Sequence, residues 1–196
     1  MHPELISLSL FMFVTSCSPG PNNIVASYSG FNFGVLKTIP HMLGVIFGFT
    51  TLVTLTNFGL INIFQKFPII QEILKYAGSI FLIYLAYKIS FSKTSSDNIT
   101  RNPVKFIETF FFQFINPKSV IVSVIMVSTY VHNGKNFLTY SLWVIGVAFI
   151  FAAISITFWT LLGRFLRRFA SNEKFIKRFN YVMSFLLLTC IATFYY

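Results

Sequence analysis

Acidic side chains are scarce in this chain: five Asp and Glu stand against fifteen Lys and Arg in 196 residues. The five are Glu4, Glu72, Asp97, Glu108 and Glu173, and all fall at or outside the ends of the apolar runs. No pair of carboxylates is spaced for acid–base work, and no buried acid can hold a cationic solute. Histidines are few too, and His2, His41 and His132 are single and scattered. No nucleophile–base constellation appears, which argues against an integral membrane enzyme. The same scarcity argues against an exporter of metal ions, and no cofactor motif is present. The two cysteines, Cys17 and Cys190, lie in apolar segments and give neither a disulfide framework nor a metal spacing; buried, inert thiols are expected. Charge of any sign is rare at 10% of residues, against about a quarter in soluble domains. The net charge of +10 is no nucleic-acid footprint, because the cations sit between apolar runs and form no stripe interleaved with aromatics.

What fills the chain is apolar: 55% of residues are hydrophobic and 26 are Phe. A domain this small cannot hide that surface from water, so part of its solvent is lipid. A membrane helix needs about 20 mostly apolar residues, and six candidates follow: 4–29, 38–64, 69–91, 106–131, 137–162 and 179–195. Gly30 to Gly34 is expected to be a turn, and 92–105 the longest loop. Val14-Thr15-Ser16-Cys17 has the form of a lipoprotein cleavage site. The stretch before it holds Glu4 and no Lys or Arg, whereas signal peptides start positive, so it is read as part of the first span. Asn98-Ile99-Thr100 matches a glycosylation sequon but falls in a loop expected to be cytoplasmic.

Eleven cations fall in loops one, three and five, three in loops two and four, and none in the termini. The positive-inside rule then places the odd loops in the cytoplasm and both termini outside.

Two apolar runs are interrupted. Ser18-Pro19-Gly20-Pro21-Asn22-Asn23 breaks the first span and Asn116-Pro117-Lys118 the fourth. Pro19 and Pro117 are 98 residues apart, as are Gly48 and Gly146. Each half (about 1–91 and 106–196) then holds three helices, with a break in its first and a glycine in its second. Three spans per half invert the second half, the plan of many secondary transporters. The fold expected is therefore a single all-α transmembrane domain, six helices in two inverted three-helix repeats. Gly44, Gly48 and Gly146 are assigned to helix packing.

Asn is a favoured helix cap and Pro a favoured first helical residue, so each break starts a new half-helix. Such starts expose free N–H groups and a positive dipole end, which hold anions, carboxylates included. Asn22, Asn23, Gln113 and Asn116 add amides. Lys118 adds a charge between uncharged runs, costing about 2.5–3.5 kcal/mol at mid-membrane and usually functional. A site of Pro19, Gly20, Pro21, Asn22, Asn23, Gln113, Asn116, Pro117 and Lys118 suits a solute with a carboxylate and a neutral remainder. A small zwitterionic amino acid fits; a basic amino acid or a cation fits less well. His41 could titrate, but a lone histidine near an interface is more often a satisfied polar contact.

At these residues the chain resembles the lysine exporter (LysE/RhtB) family of amino-acid efflux proteins. Pro19-Gly20-Pro21-Asn22-Asn23, then Gly34, Gly44 and Gly48, then Gln113-x-x-Asn116-Pro117-Lys118 carry the resemblance, which spans essentially the whole chain. Together with the ending from Cys190 to Tyr196, these motifs are most similar to the family's cysteine/O-acetylserine branch. The resemblance implies export of small neutral amino acids or derivatives, cysteine/O-acetylserine or homoserine/threonine-like, across a bacterial inner membrane, coupled to the proton gradient. The partners implied are an amino-acid substrate, a coupling proton and the lipid bilayer, with a homo-oligomer left open.

Overall fold

The computed structural model describes residues 3–91, 103–132, 134, 136–170 and 172–195, except for the side chains of Pro3, Gln65 and Gln71. The sequon and most of the 92–105 loop lie outside these residues. The described residues form helices and connecting turns, without strands. In order they are α1 (Pro3–Cys17), α2 (Pro21–Phe33), α3 (Val35–Leu55), α4 (Ile61–Lys66), α5 (Pro68–Ser90), α6 (Phe106–Ile115), α7 (Pro117–Tyr130), α8 (Phe137–Leu166) and α9 (Glu173–Ala192). A wide π-type turn, Thr56–Leu60, joins α3 to α4 and kinks at Gly59, whose φ is 135°.

Among the described residues, four helices are long and apolar enough to cross a membrane: Val35–Phe64, Pro68–Ser90, Phe137–Phe169 and Glu173–Ala192. The pair α6 and α7 makes a fifth when counted as one span bent by 63°. Large apolar side chains face outward along these helices: Ile80 is 68% exposed, Leu142 60% and Phe185 65%. Outward apolar belts of this kind need lipid around them.

Helix ends follow local chemistry. Pro21, Pro68 and Pro117 each stand at a helix start, where the missing N–H costs nothing. Asn172 caps α9 by accepting from the N–H of Phe175 at 2.9 Å. The last helix therefore starts at Glu173 rather than 179, and Lys174, Lys177 and Arg178 are helical rather than part of a loop. The expected turn at Gly30–Gly34 is also corrected. α2 continues to Phe33, and only Gly34 breaks it, at φ 81°. Gly30 is a packing glycine, since a Cβ there would run into the backbone carbonyl of Thr160 on α8.

Close approach fixes the bundle. α2 lies along α8, where Gly163 meets the backbone of Ser27. α6 lies along α3, where a Cβ on Gly44 would be 2.6 Å from the Phe106 carbonyl and one on Gly48 2.7 Å from that of Phe110. Gly146 has open space around it, which corrects its assignment to packing. α3 and α8 form the centre, with α5 and α9 paired beside α2. Buried polar contacts tie the layers, among them Asn32 to Asn180 at 2.9 Å, and Ser184 to the Ala86 carbonyl at 2.8 Å. Cys17 and Cys190 are free and only partly buried, rather than fully enclosed.

Candidate functional site

The two breaks meet. Between them lies a cavity of about 70 Å³, room for several waters at about 10–15 Å³ each. Gly20, Pro21, Asn22, Asn23, Gln113, Asn116 and Lys118 all line it. Pro19 is exposed and Pro117 sits behind the wall, so these two shape the breaks rather than touch the space. α5 backs the second break, where Gly78 lets the Ile115 carbonyl approach.

The first break ends α1, whose last carbonyls lack helical partners. Side chains from three other helices supply them. Ser16 O accepts from Asn23 Nδ2 at 2.7 Å and from Ser155 Oγ at 2.7 Å. Ser18 O accepts from Asn23 Nδ2 at 3.0 Å and from Lys118 Nζ at 3.3 Å. Lys118 Nζ also donates to Ser18 Oγ at 2.7 Å. The ammonium thus stands at the negative pole of α1, a favourable place for a cation. Gly20 makes room for it: a Cβ there would lie 2.9 Å from Nζ. The hydrogen-bond partners of Nζ use two of its three protons, which leaves one donor on the cavity side.

At the second break Asn116 Oδ1 accepts from the N–H of Lys118 at 3.2 Å and so caps α7. α2 has no such side-chain cap, and its first residues, Pro21, Asn22 and Asn23, line the cavity. Its start remains available to an anionic group.

Asn22 and Gln113 join the two breaks by reciprocal amide bonds of 2.8 and 3.1 Å. Gln113 Oε1 also accepts from Ser119 Oγ at 3.0 Å, and Gln113 Nε2 donates to Thr109 O at 2.9 Å. Full burial of Gln113 makes each of these bonds matter, because an unpaired buried amide costs about 1–3 kcal/mol.

Several lining residues were not predicted. Thr15, Ser16, Ser119 and Ser155 add polar surface. Val45 and Phe49 of α3 and Ala152 and Ile156 of α8 supply apolar walls, each pair spaced four residues apart. These pairs are 107 residues apart, not 98. An offset taken from the prolines therefore misses these walls by nine residues, about two and a half helical turns, and Gly146 does not share the packing role of Gly48.

A polar cavity at the meeting point of two helix breaks, inside a bundle of membrane-length apolar helices, is the arrangement of a solute translocator. The chain belongs to the LysE type translocators, whose family model matches residues 13–195. It is similar to the cysteine/O-acetylserine efflux proteins of Escherichia coli O139:H28, Escherichia coli K12 and Shigella sonnei. Each is 29% identical over 201 residues, covering 100% of this chain and 100% of the relative. No solved structure matches the chain. The protein is a multi-pass membrane translocator of this family.

Proposed function

We propose that the protein exports small neutral amino acids or their derivatives, cysteine and O-acetylserine among them, from the bacterial cytoplasm across the inner membrane in exchange for protons. In this reading α1 with α2, and α6 with α7, are the broken first and fourth of six spans. The halves are inverted, and both termini lie outside. The observation that carries the reading is the composition of the cavity: one lysine, four amide and four hydroxyl side chains, and no acid among its lining residues. The solute carboxylate is held by the start of α2 and the free proton of Lys118. Asn22, Asn23, Gln113 and Asn116 orient its polar atoms, and Val45, Phe49, Ala152 and Ile156 bound a short side chain. A lysine-like solute would place a second cation beside Lys118 with no acid in the wall to offset it, which disfavours a basic substrate.

The test uses purified protein in liposomes, assayed for counterflow against a panel of amino acids with and without a pH gradient. Exchange of cysteine, O-acetylserine or serine, stimulated by the gradient, is expected. Exchange of lysine alone, or of no amino acid, would refute the reading.

A further inference from the structure

His41 belongs to no part of the site described so far, yet it closes a ring behind the cavity wall. It lies in the second turn of α3 and is 2% exposed. Its Nε2 is 3.2 Å from the backbone carbonyl of Asn22. Its Nδ1 is 2.9 Å from Thr109 Oγ1. Thr109 O accepts from Gln113, and Gln113 and Asn22 hold each other. The imidazole therefore links α2, α3 and α6, and reaches the cavity wall through the backbone carbonyl of Asn22 and, by way of Thr109, through Gln113.

The chemistry of these two contacts is informative. A carbonyl oxygen only accepts, so Nε2 carries a hydrogen in either charge state. The Thr109 hydroxyl can donate or accept. When the imidazole is neutral, the hydroxyl donates to bare Nδ1. When Nδ1 binds a proton, it donates to the hydroxyl, which turns to the Lys105 carbonyl, 3.2 Å from Oγ1. Both charge states leave each ring nitrogen paired, and one hydroxyl rotation connects them. Around the ring, α2 offers no acid or base except Tyr28. On α6, Glu108 Oε2 accepts from the Lys105 N–H at 3.1 Å. Lys118 of α7 is turned to Ser18, and Arg164 of α8 lies near Gly34. Both direct partners of the imidazole are neutral.

We propose that His41 carries the coupled proton, bound at Nδ1, and that solute in the cavity and proton on His41 sense one another through Asn22, Gln113 and Thr109. This rests on the proton-antiport reading above. The proton enters from the outer medium, resides on Nδ1 and leaves to the cytoplasm as solute pulls on the two amides. Linkage requires reciprocity: if solute shifts the proton affinity, the proton shifts solute affinity equally.

Two measurements test this. The His2→Gln/His132→Gln protein keeps His41 as its sole histidine, so its ¹³C-labelled imidazole can be followed by NMR in micelles. Its signals are expected to titrate with pH, with a midpoint that moves when O-acetyl-L-serine is added. In liposomes, His41→Gln is expected to lose the response of accumulation to a pH gradient, and its counterflow to lose pH dependence. Imidazole signals that ignore both pH and solute overturn the assignment. So does a His41→Gln protein that still accumulates solute against the gradient while the unmutated protein does the same. An unmutated protein that exchanges solute but ignores the gradient overturns the antiport reading itself, and this assignment with it. If His41→Gln does not insert, the NMR titration decides.

Discussion

At the scale of single residues, Lys118 is the most exposed to test. Its ammonium joins α7 to the end of α1 and keeps one donor toward the cavity. Lys118→Ala is expected to lower export roughly tenfold or more, since about 1.4 kcal/mol of lost interaction is already tenfold, with the protein still present in the membrane. Unchanged export in cells that accumulate the variant would remove Lys118 from the site. Gly20→Ala should act through the same lysine by pushing Nζ away, and is expected to raise the KM for solute more than it lowers the maximal rate. Gln113→Leu leaves the Asn22 amide without its partner. It should lower stability by about 1–3 kcal/mol, read as a drop in the thermal midpoint in detergent. Much of this site was legible beforehand, because Pro, Gly, Asn and Lys are conspicuous in an apolar run and each has a known effect on a helix end. Ser155, Thr109 and His41 were not, because their roles depend on which remote helix they face. Nothing local in a sequence records that Thr109 of α6 meets His41 of α3.

At the scale of helices, closeness is distributed unevenly. The ends of α2, α3, α6 and α8 near Lys37, Lys105 and Arg164 meet backbone to backbone through Gly30, Gly163, Gly44 and Gly48. At the opposite end, α1, α3, α7 and α8 meet through side chains, with Leu8, Met12, Val53, Met126 and Val144 forming a buried cluster. Adding bulk at the first end has no outlet. Gly163→Val is expected to cost about 1–3 kcal/mol or more by overpacking, whereas Gly146→Ala should be neutral or slightly stabilising, because the space is open and Ala favours helix. Thermal unfolding of both variants in detergent checks the contrast, and equal destabilisation would contradict it. Five of the six predicted spans correspond to helices or helix pairs that the bundle contains at membrane length. The first corresponds to α1 and α2, shorter pieces on either side of the break. The misplaced boundaries have clear causes. Gly30 looked like turn chemistry but serves contact with Thr160, and Asn172 was an unnoticed cap that lengthened α9.

For the whole molecule, the basic loop ends supply the orientation argument. With eleven cations assigned from the sequence to connections one, three and five of the expected spans and three to connections two and four, the proposed orientation predicts that a reporter active only outside is active when fused after Ala192, and that a cytoplasmic reporter is silent there. The reverse pattern would invert the proposed topology and the direction of every step built on it. The bundle architecture was readable from hydropathy because lipid demands long apolar runs. Symmetry was less readable. The prolines of the two breaks are 98 residues apart and the wall pairs of α3 and α8 are 107 apart, so under the proposed repeat the register slips by nine residues between break and next helix.

The lysine at the end of α1 has one more implication. Carbonyl ends of interrupted membrane helices are natural seats for small inorganic cations, which many carriers must recruit from the medium. Here the chain brings its own counter-charge, covalently attached, and the seat at Ser18 is filled. Export at a fixed pH gradient should therefore proceed at the same rate in sodium, potassium or choline buffers, so the transporter would work equally well in fresh water and in brine.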